Sequence, residues 1–351
     1  MEKRYYNVGG IIFSVEMQGP WKFMEITPAV RDRVNKAAAG EEIHILPTRA
    51  GDDVPARTFV QTKNDLPINR TKYDLDFSQY EPFRCDSAAE AFSIKVFEKE
   101  PEWVSKALED GTMKLIMSVD EELPAYYIYK YEDKTIFRFD ADRGHIAGTL
   151  CMSADYSQGE FYPQEGYGPY TILFQLNTSI MIAYTYNGAL RNALLMHSSV
   201  VRHNGKANFF LGKSGTGKST HSRLWLSNVE GCDLVNDDNP VLRVMDGPAG
   251  EKLYVFGSPW SGKTPCYRNI SVEVRAIVRL DQAPKNEARK LSGLDAYASI
   301  IASASSIRWD RKIMDGLTST AEKVVGLADC WHLDCLPDAD AAFTCLKAIE
   351  G

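Results

Sequence analysis

A chain of 351 residues exceeds what one hydrophobic core ordinarily fills, roughly 250 to 300 residues, so two domains are expected. Its 44% hydrophobic and 25% charged content is that of an ordinary globular protein and excludes general disorder. The net charge of -7 excludes the broad basic face that nucleic acid or an anionic membrane surface demands, so neither is an expected partner.

From Met1 to Tyr6 the chain runs into an apolar stretch broken by Gly9-Gly10 and Glu16, which is not the pattern of a signal peptide. Seven scattered cysteines, Cys85, Cys151, Cys232, Cys266, Cys330, Cys335 and Cys345, read as reduced thiols of a cytoplasmic protein. Up to about Gly166 the chain is punctuated by Pro, Gly, Asn and Asp. Short alternating stretches at Ile11 to Val15, Lys114 to Val119, Tyr126 to Tyr131 and Lys134 to Phe139 predict strands. Tyr131-Glu132-Asp133-Lys134 predicts a hairpin turn, and Thr27 to Ala39, closed by Gly40, a helix. Asp74, Asp76, Asp140 and Asp142 read as solvated loop carboxylates. Ser157 to Tyr170, with three glycines and two prolines, reads as a linker. The expected division is therefore a β-rich α+β domain over 1–166 and a second domain over 167–351.

The longest apolar run, Tyr170 to Tyr186, contains Gln175, Asn177, Thr178 and Ser179. It falls short of the ~20 apolar residues of a membrane span, so a buried helix is expected, stopped by Asn187-Gly188. Further on, Asn204-Gly205 between two apolar runs predicts a two-residue hairpin. That register sets His203 opposite Lys206 and Arg202 opposite Ala207, and extending it brings His197 opposite Gly212. His203 and His221 read as packing or surface residues.

Gly212-Lys213-Ser214-Gly215-Thr216-Gly217-Lys218-Ser219 fits G-x-x-x-x-G-K-[ST], a Walker A pattern. Its glycines let backbone N–H groups turn toward phosphates, the lysine neutralises the outer ones, and the Ser219 hydroxyl ligates Mg. A strand at Ala207 to Leu211 and a helix from Thr220 supply the required flanks. Cys232 to Val235 predicts a strand ending in Asn236-Asp237-Asp238-Asn239-Pro240, which puts two carboxylates at a strand's carboxyl end, where ligands of open α/β sheets gather. One can hold Mg and the other can take a proton from a hydroxyl nucleophile. Gly257-Ser258-Pro259-Trp260-Ser261-Gly262-Lys263-Thr264 is a second small-residue segment with a cation, and Ser258, Trp260 and Lys263 are candidates for holding the acceptor. Cys330 to Cys335 fits a strand better than a zinc pattern, and Asp338 to Ile349 an amphipathic helix.

The motifs Met196-His197-Ser198-Ser199-Val200-Val201, Asn204-Gly205, Gly212 to Thr220 and Leu234-Val235-Asn236-Asp237-Asp238 resemble, in order and spacing, the HPr kinase family and its phosphoenolpyruvate carboxykinase relatives. The likeness covers roughly residues 190 to 280. Closer still, the chain is similar to HPr kinase-related bacterial proteins, which join such a domain to a different N-terminal part. The resemblance implies an α/β P-loop domain of that type. It also implies phosphoryl transfer by residues matching His197, Lys218, Asp237 and Asp238, and a homo-oligomer, while the phosphate-loop pattern itself makes Gly212 to Thr220 the ATP cradle. Where HPr kinases continue into a glutamate- and glycine-rich signature, this chain has Val255 to Lys263.

Together these observations predict a cytoplasmic, Mg-dependent kinase that transfers the terminal phosphoryl group of ATP to a hydroxyl acceptor, either a small molecule or a serine-like group of a protein or peptide. A nucleotide-binding regulatory module without transfer, a carboxykinase-like lyase and a simple NTPase are the alternatives.

Overall fold

The computed structural model describes residues 1–39, 71–119, 126–142, 144–262, 264–306 and 309–351. They form two compact units. The first comprises the described parts of Met1–Thr27, Leu66–Ser78 and Arg84–Asn187, and the second those of Pro28–Asp65, Gln79–Phe83 and Gly188–Gly351. The chain's first helix, α1 (Pro28–Ala39), thus counts with the second unit.

In the first unit, β1 (Glu2–Val8) and β2 (Ile11–Met17) pair as a hairpin, and β3 (Lys22–Phe23) pairs with β4 (Asp74–Leu75) in a small separate sheet. The strands β5 (Arg84–Cys85), β6 (Phe92–Val96), β7 (Lys114–Val119), β8 (Tyr126–Tyr131), β9 (Lys134–Asp142), β10 (His145–Met152) and β11 (Gln158–Pro163) complete a nine-stranded sheet in the order β5-β1-β2-β6-β11-β10-β9-β8-β7. The hairpin at 131–134 has the expected register, with Tyr131 opposite Lys134 and Glu132 in the left-handed region at φ 52°. Residues of α2 (Glu102–Glu109) pack with Cys151 and Tyr162 on one face. On the other runs α3 (Pro169–Ala189), whose Tyr184 hydroxyl donates to the Val8 carbonyl at 2.9 Å.

Three expectations are corrected here. The supposed linker holds β11, a central strand between β6 and β10. Its Gly159 is there for close packing, because a Cβ would stand 2.8 Å from the Met152 sulfur and 3.1 Å from Ile94. Asn187-Gly188 does not stop α3, which continues to Ala189. The Asn187 amide donates to the carbonyls of Ala183 and Tyr156, and Gly188 leaves room for the Ala193 carbonyl. Nor are the first-half aspartates all solvated. Asp74 is buried and accepts from the Thr71 N–H, while Asp140, buried in β9, accepts from the Gly144 N–H. Gly40 lies outside the described residues.

The second unit has its own nine-stranded mixed sheet. Its strands are β12 (Ala193–Leu195), β13 (Ser198–His203), β14 (Lys206–Leu211), β15 (Asp233–Asp238), β16 (Val241–Gly247), β17 (Gly250–Phe256), β18 (Ser271–Gln282), β19 (Glu287–Lys290) and β20 (Asp329–Cys335). The main path is β12-β16-β17-β18-β14-β13-β15. Beyond β17, the second side of β18 pairs with β20, which in turn pairs with β19. The Asn204-Gly205 hairpin has the expected pairs, His203 with Lys206 and Arg202 with Ala207, with φ 51° and 72° at its two central residues.

Alternation along β14 divides the core. Ala207, Phe209 and Leu211 join one cluster with Ala296 and Ile300 of α5 (Gly293–Ser303) and Leu317, Ala321 and Val324 of α6 (Arg311–Leu327). Phe210 joins the other, with Trp225 of α4 (Lys218–Asn228) and Ala342 and Cys345 of α7 (Ala339–Glu350). Helices therefore cover both faces, as strands apolar on both sides require.

Candidate active site

The site follows from strand direction. β14, β18 and β20 are parallel, and β13 is antiparallel to both β14 and β15. The carboxyl ends of β14, β15 and β18 therefore meet at one end of the sheet, together with the amino end of β13. Four stretches of sequence deliver their functional groups there.

After Leu211 the chain leaves β14 through Gly212, Gly215 and Gly217, all at positive φ (156°, 80° and 108°). Gly212 and Gly217 in particular suit only glycine, and a Cβ on Gly212 would press on Thr216 at 3.1 Å. The loop is closed by the Thr216 N–H donating to the Lys213 carbonyl at 3.1 Å. It is also braced from outside, where the Gln282 amide at the end of β18 donates to the carbonyls of Gly215 and Thr216, both at 3.3 Å. Lys213, Ser214 and Gly215 are exposed, while Ser219 and Thr220 are half-buried in the first turn of α4.

That first turn has no side-chain cap and no acidic residue. Its N–H groups and the positive end of the helix dipole are left for an anion. Lys218 is buried at 8% exposure, and its ammonium donates to the carbonyls of Gly212 (3.0 Å) and Lys213 (3.4 Å). Burial holds its pKa below the usual lysine range, against the opposing pull of Asp238 and Asp237. A buried cation beside a row of backbone donors fits a phosphate chain.

The acidic pair ends β15, with Ser199 opposite Asp237 and Ser198 opposite Asp238. Asp237 is 6% exposed. Its Oδ2 accepts from the Thr264 hydroxyl at 2.7 Å, and its N–H donates to the Ser261 Oγ at 3.3 Å. The Asp238 side chain is more open, at 36% exposure, with Oδ1 3.6 Å from His197 Nε2. His197 leaves the β13 ladder, because its N–H donates to the Ser303 carbonyl at the end of α5 (2.7 Å) and Met196 bridges to Ala304. The hairpin register alone therefore does not set its position. Burial, and then the Lys218 ammonium, lower the His197 pKa to about 4 against the pull of Asp237, so the imidazole is neutral at pH 7.

Of the residues singled out in the sequence, His197, Lys218, Asp237 and Asp238 converge around the loop from Gly212 to Thr220. Ser258 and Trp260 serve a different end. Ser258 is fully buried, donating to the Asn239 carbonyl at 2.6 Å and accepting from the Asn236 amide and the Trp260 N–H. The Trp260 indole N–H donates to the Tyr80 hydroxyl at 3.0 Å. Ser258 thus holds the loop against the end of β15, and the Trp260 indole ties it to Tyr80. Lys263 lies outside the described residues.

Sequence reasoning missed Thr264, Ser261 and Gln282. The first two stand three residues apart around Gly262 in a segment already recognised as loop-like, and that spacing of hydroxyls was the available signal. Gln282 carried none, since it arrives through strand order.

Among the described residues no cluster of three or more His, Cys, Asp or Glu forms a metal cage. Mg does not ordinarily use one. It binds through one or two carboxylates together with substrate phosphates, a set that Asp237, Asp238 and Ser219 fit. No helix among the described residues is long and apolar enough to cross a membrane. No family model matches the chain, and no curated protein matches it.

Proposed function

We propose that the protein is a Mg-dependent kinase of the P-loop class that moves the terminal phosphoryl group of ATP onto a hydroxyl of a small molecule, or onto a serine-like hydroxyl of a protein or peptide. The observation that carries this reading is the convergence of Lys218, His197, Asp237 and Asp238 beside an uncapped helix start. The order and spacing of the motifs support a fold of HPr kinase type, and the scattered free cysteines support a cytoplasmic setting.

Loop N–H groups and the start of α4 would bind the phosphates. Lys218 has three donors, so it can neutralise phosphate charge while keeping a bond to the loop. Held by Ser219 and Asp237 with the nucleotide, Mg would offset charge on the phosphate oxygens. Asp238, the more exposed carboxylate, would take the proton of the acceptor hydroxyl as the new oxygen–phosphorus bond forms and the bond to ADP breaks. Neutral His197 would orient the phosphoryl group without adding charge.

The test is incubation with γ-labelled ATP and Mg, alone and with fractionated metabolites and proteins, beside Lys218→Ala. Label is expected in an acceptor and absent with Lys218→Ala. Tight ATP binding without transfer would replace the kinase by a regulatory module, and full activity of Lys218→Ala would remove the scheme.

A further inference from the structure

The loop from Gly257 to Thr264 is fitted at four points to the acidic pair and to Asn239, which follows it. The Asn239 N–H donates to the Trp260 carbonyl at 3.1 Å. The Asp237 N–H donates to the Ser261 Oγ, and the Thr264 hydroxyl donates to Asp237 Oδ2. Between these last two, a Cβ on Gly262 would stand 2.9 Å from the Asp238 Cβ. The Thr264 N–H donates back to the Ser261 carbonyl at 3.2 Å, so the two hydroxyl residues form one tight turn. Asp237 is thereby gripped at both its backbone and its side chain by one turn 24 to 27 residues further along the chain.

We infer that Thr264 is a positioning residue for the site, setting the rotation of the Asp237 carboxylate so that Oδ1 is presented to the metal–nucleotide complex. An ionised carboxylate only accepts hydrogen bonds. A hydroxyl that can reach one oxygen and not the other breaks the carboxylate's two-fold equivalence and chooses which oxygen faces the ligand. Thr264 is 1% exposed and its hydroxyl is bonded to Asp237, through which it acts. The inference rests on the kinase reading for its purpose, and its test separates the two.

Thr264→Val keeps the volume and removes the donor, whereas Thr264→Ser keeps the donor. Two measurements are made on wild type, both variants, Asp237→Asn and the double variant Asp237→Asn/Thr264→Val. One is the affinity for ATP with Mg and for ATP with EDTA, by calorimetry. The other is kcat and KM for transfer. In wild type Mg is expected to tighten ATP binding, and Thr264→Val to lose most of that increment, about 10-fold, while affinity in EDTA stays within about 2-fold. Thr264→Ser should restore it, the KM for ATP in Mg should rise in Thr264→Val in step with the lost increment while kcat falls, and Thr264→Val should cost nothing further in the Asp237→Asn background.

An unchanged Mg increment in Thr264→Val, no rescue by serine, or a full additional loss in the double variant would overturn the inference while leaving the kinase intact. Wild type that binds Mg–ATP without transferring label would overturn the kinase reading, with the increment still deciding Thr264. Wild type that binds no ATP would overturn both.

Discussion

At the residue scale the two neighbouring aspartates are separated by what touches them. Asp237 is buried with one oxygen taken by Thr264, whereas Asp238 is open toward His197. Asp238→Asn should therefore leave ATP affinity nearly unchanged while transfer falls by roughly 10²-fold or more, the usual cost of losing a general base. The comparison of equilibrium binding with single-turnover transfer checks this. A loss confined to binding would make Asp238 a nucleotide ligand instead.

Asp233, at the start of the same strand, has a structural task. It accepts from Arg202 at 2.8 and 2.5 Å and from Arg268 at 2.8 Å. Burial alone would raise its pKa, but the hydrogen bonds from Arg202 and then Arg268 outweigh burial and hold it below 3.8. A carboxyl depressed in the folded state stabilises above its unfolded pKa, and that contribution is lost as pH falls through the folded value. Asp233→Asn should cost about 2 kcal/mol at pH 7, a figure reduced because a third of the side chain meets solvent. The difference from wild type should shrink as urea unfolding is repeated at pH values falling below 3.8.

At the scale of elements, the loop from Gly257 to Thr264 depends on a close approach of two backbones. A Cβ on Gly257 would lie 1.9 Å from the Arg268 carbonyl oxygen, and the Gly257 N–H already donates to the Ile270 carbonyl at 3.1 Å. Neither backbone can yield without moving the turn that grips Asp237. Gly257→Ala should destabilise by about 2 to 4 kcal/mol and weaken Mg-dependent ATP binding. Gly293→Ala, whose Cβ would meet nothing within 4 Å, is the control and should be neutral in the same unfolding experiment.

The signals that act over a few residues gave the structure found. Asn204-Gly205 set a hairpin register, and Gly212 to Ser219 announced a strand–loop–helix passage, because turn chemistry and glycine spacing act over a few residues. They misled at Asn187-Gly188 and in the stretch from Ser157 to Tyr170. There glycine answers to close packing rather than to a turn, against the Ala193 carbonyl in one case and against Met152 and the far upstream Ile94 in the other.

At the scale of the molecule, the second unit holds the whole candidate site on its own sheet, with Gln79–Phe83 contributed from far upstream. Within it, Tyr80 receives the Trp260 indole N–H and the Pro82 carbonyl the Asn269 amide. Mg–ATP at 100-fold its Kd should stabilise this unit by about 2.7 kcal/mol. Hydrogen exchange should show the gain along β13, β14, β15 and α4, with the nine-stranded sheet of the first unit unchanged. Equal protection in both sheets, or protection surviving in Lys218→Ala, would contradict the site's location.

The sequence by itself determined the things that depend on short spacing: a phosphate-loop motif with its flanking strand and helix, an acidic pair closing a strand, a hairpin, and a chain too long for one core. Tertiary structure alone decided which groups meet. Parallel β14 and β18 bring Gln282 to the loop, the end of α5 holds His197, and a turn 27 residues away selects one oxygen of Asp237. Hydrogen bonds and backbone approaches of that kind leave no periodic trace in the chain. They are fixed only when strand order and register bring distant segments within three ångströms.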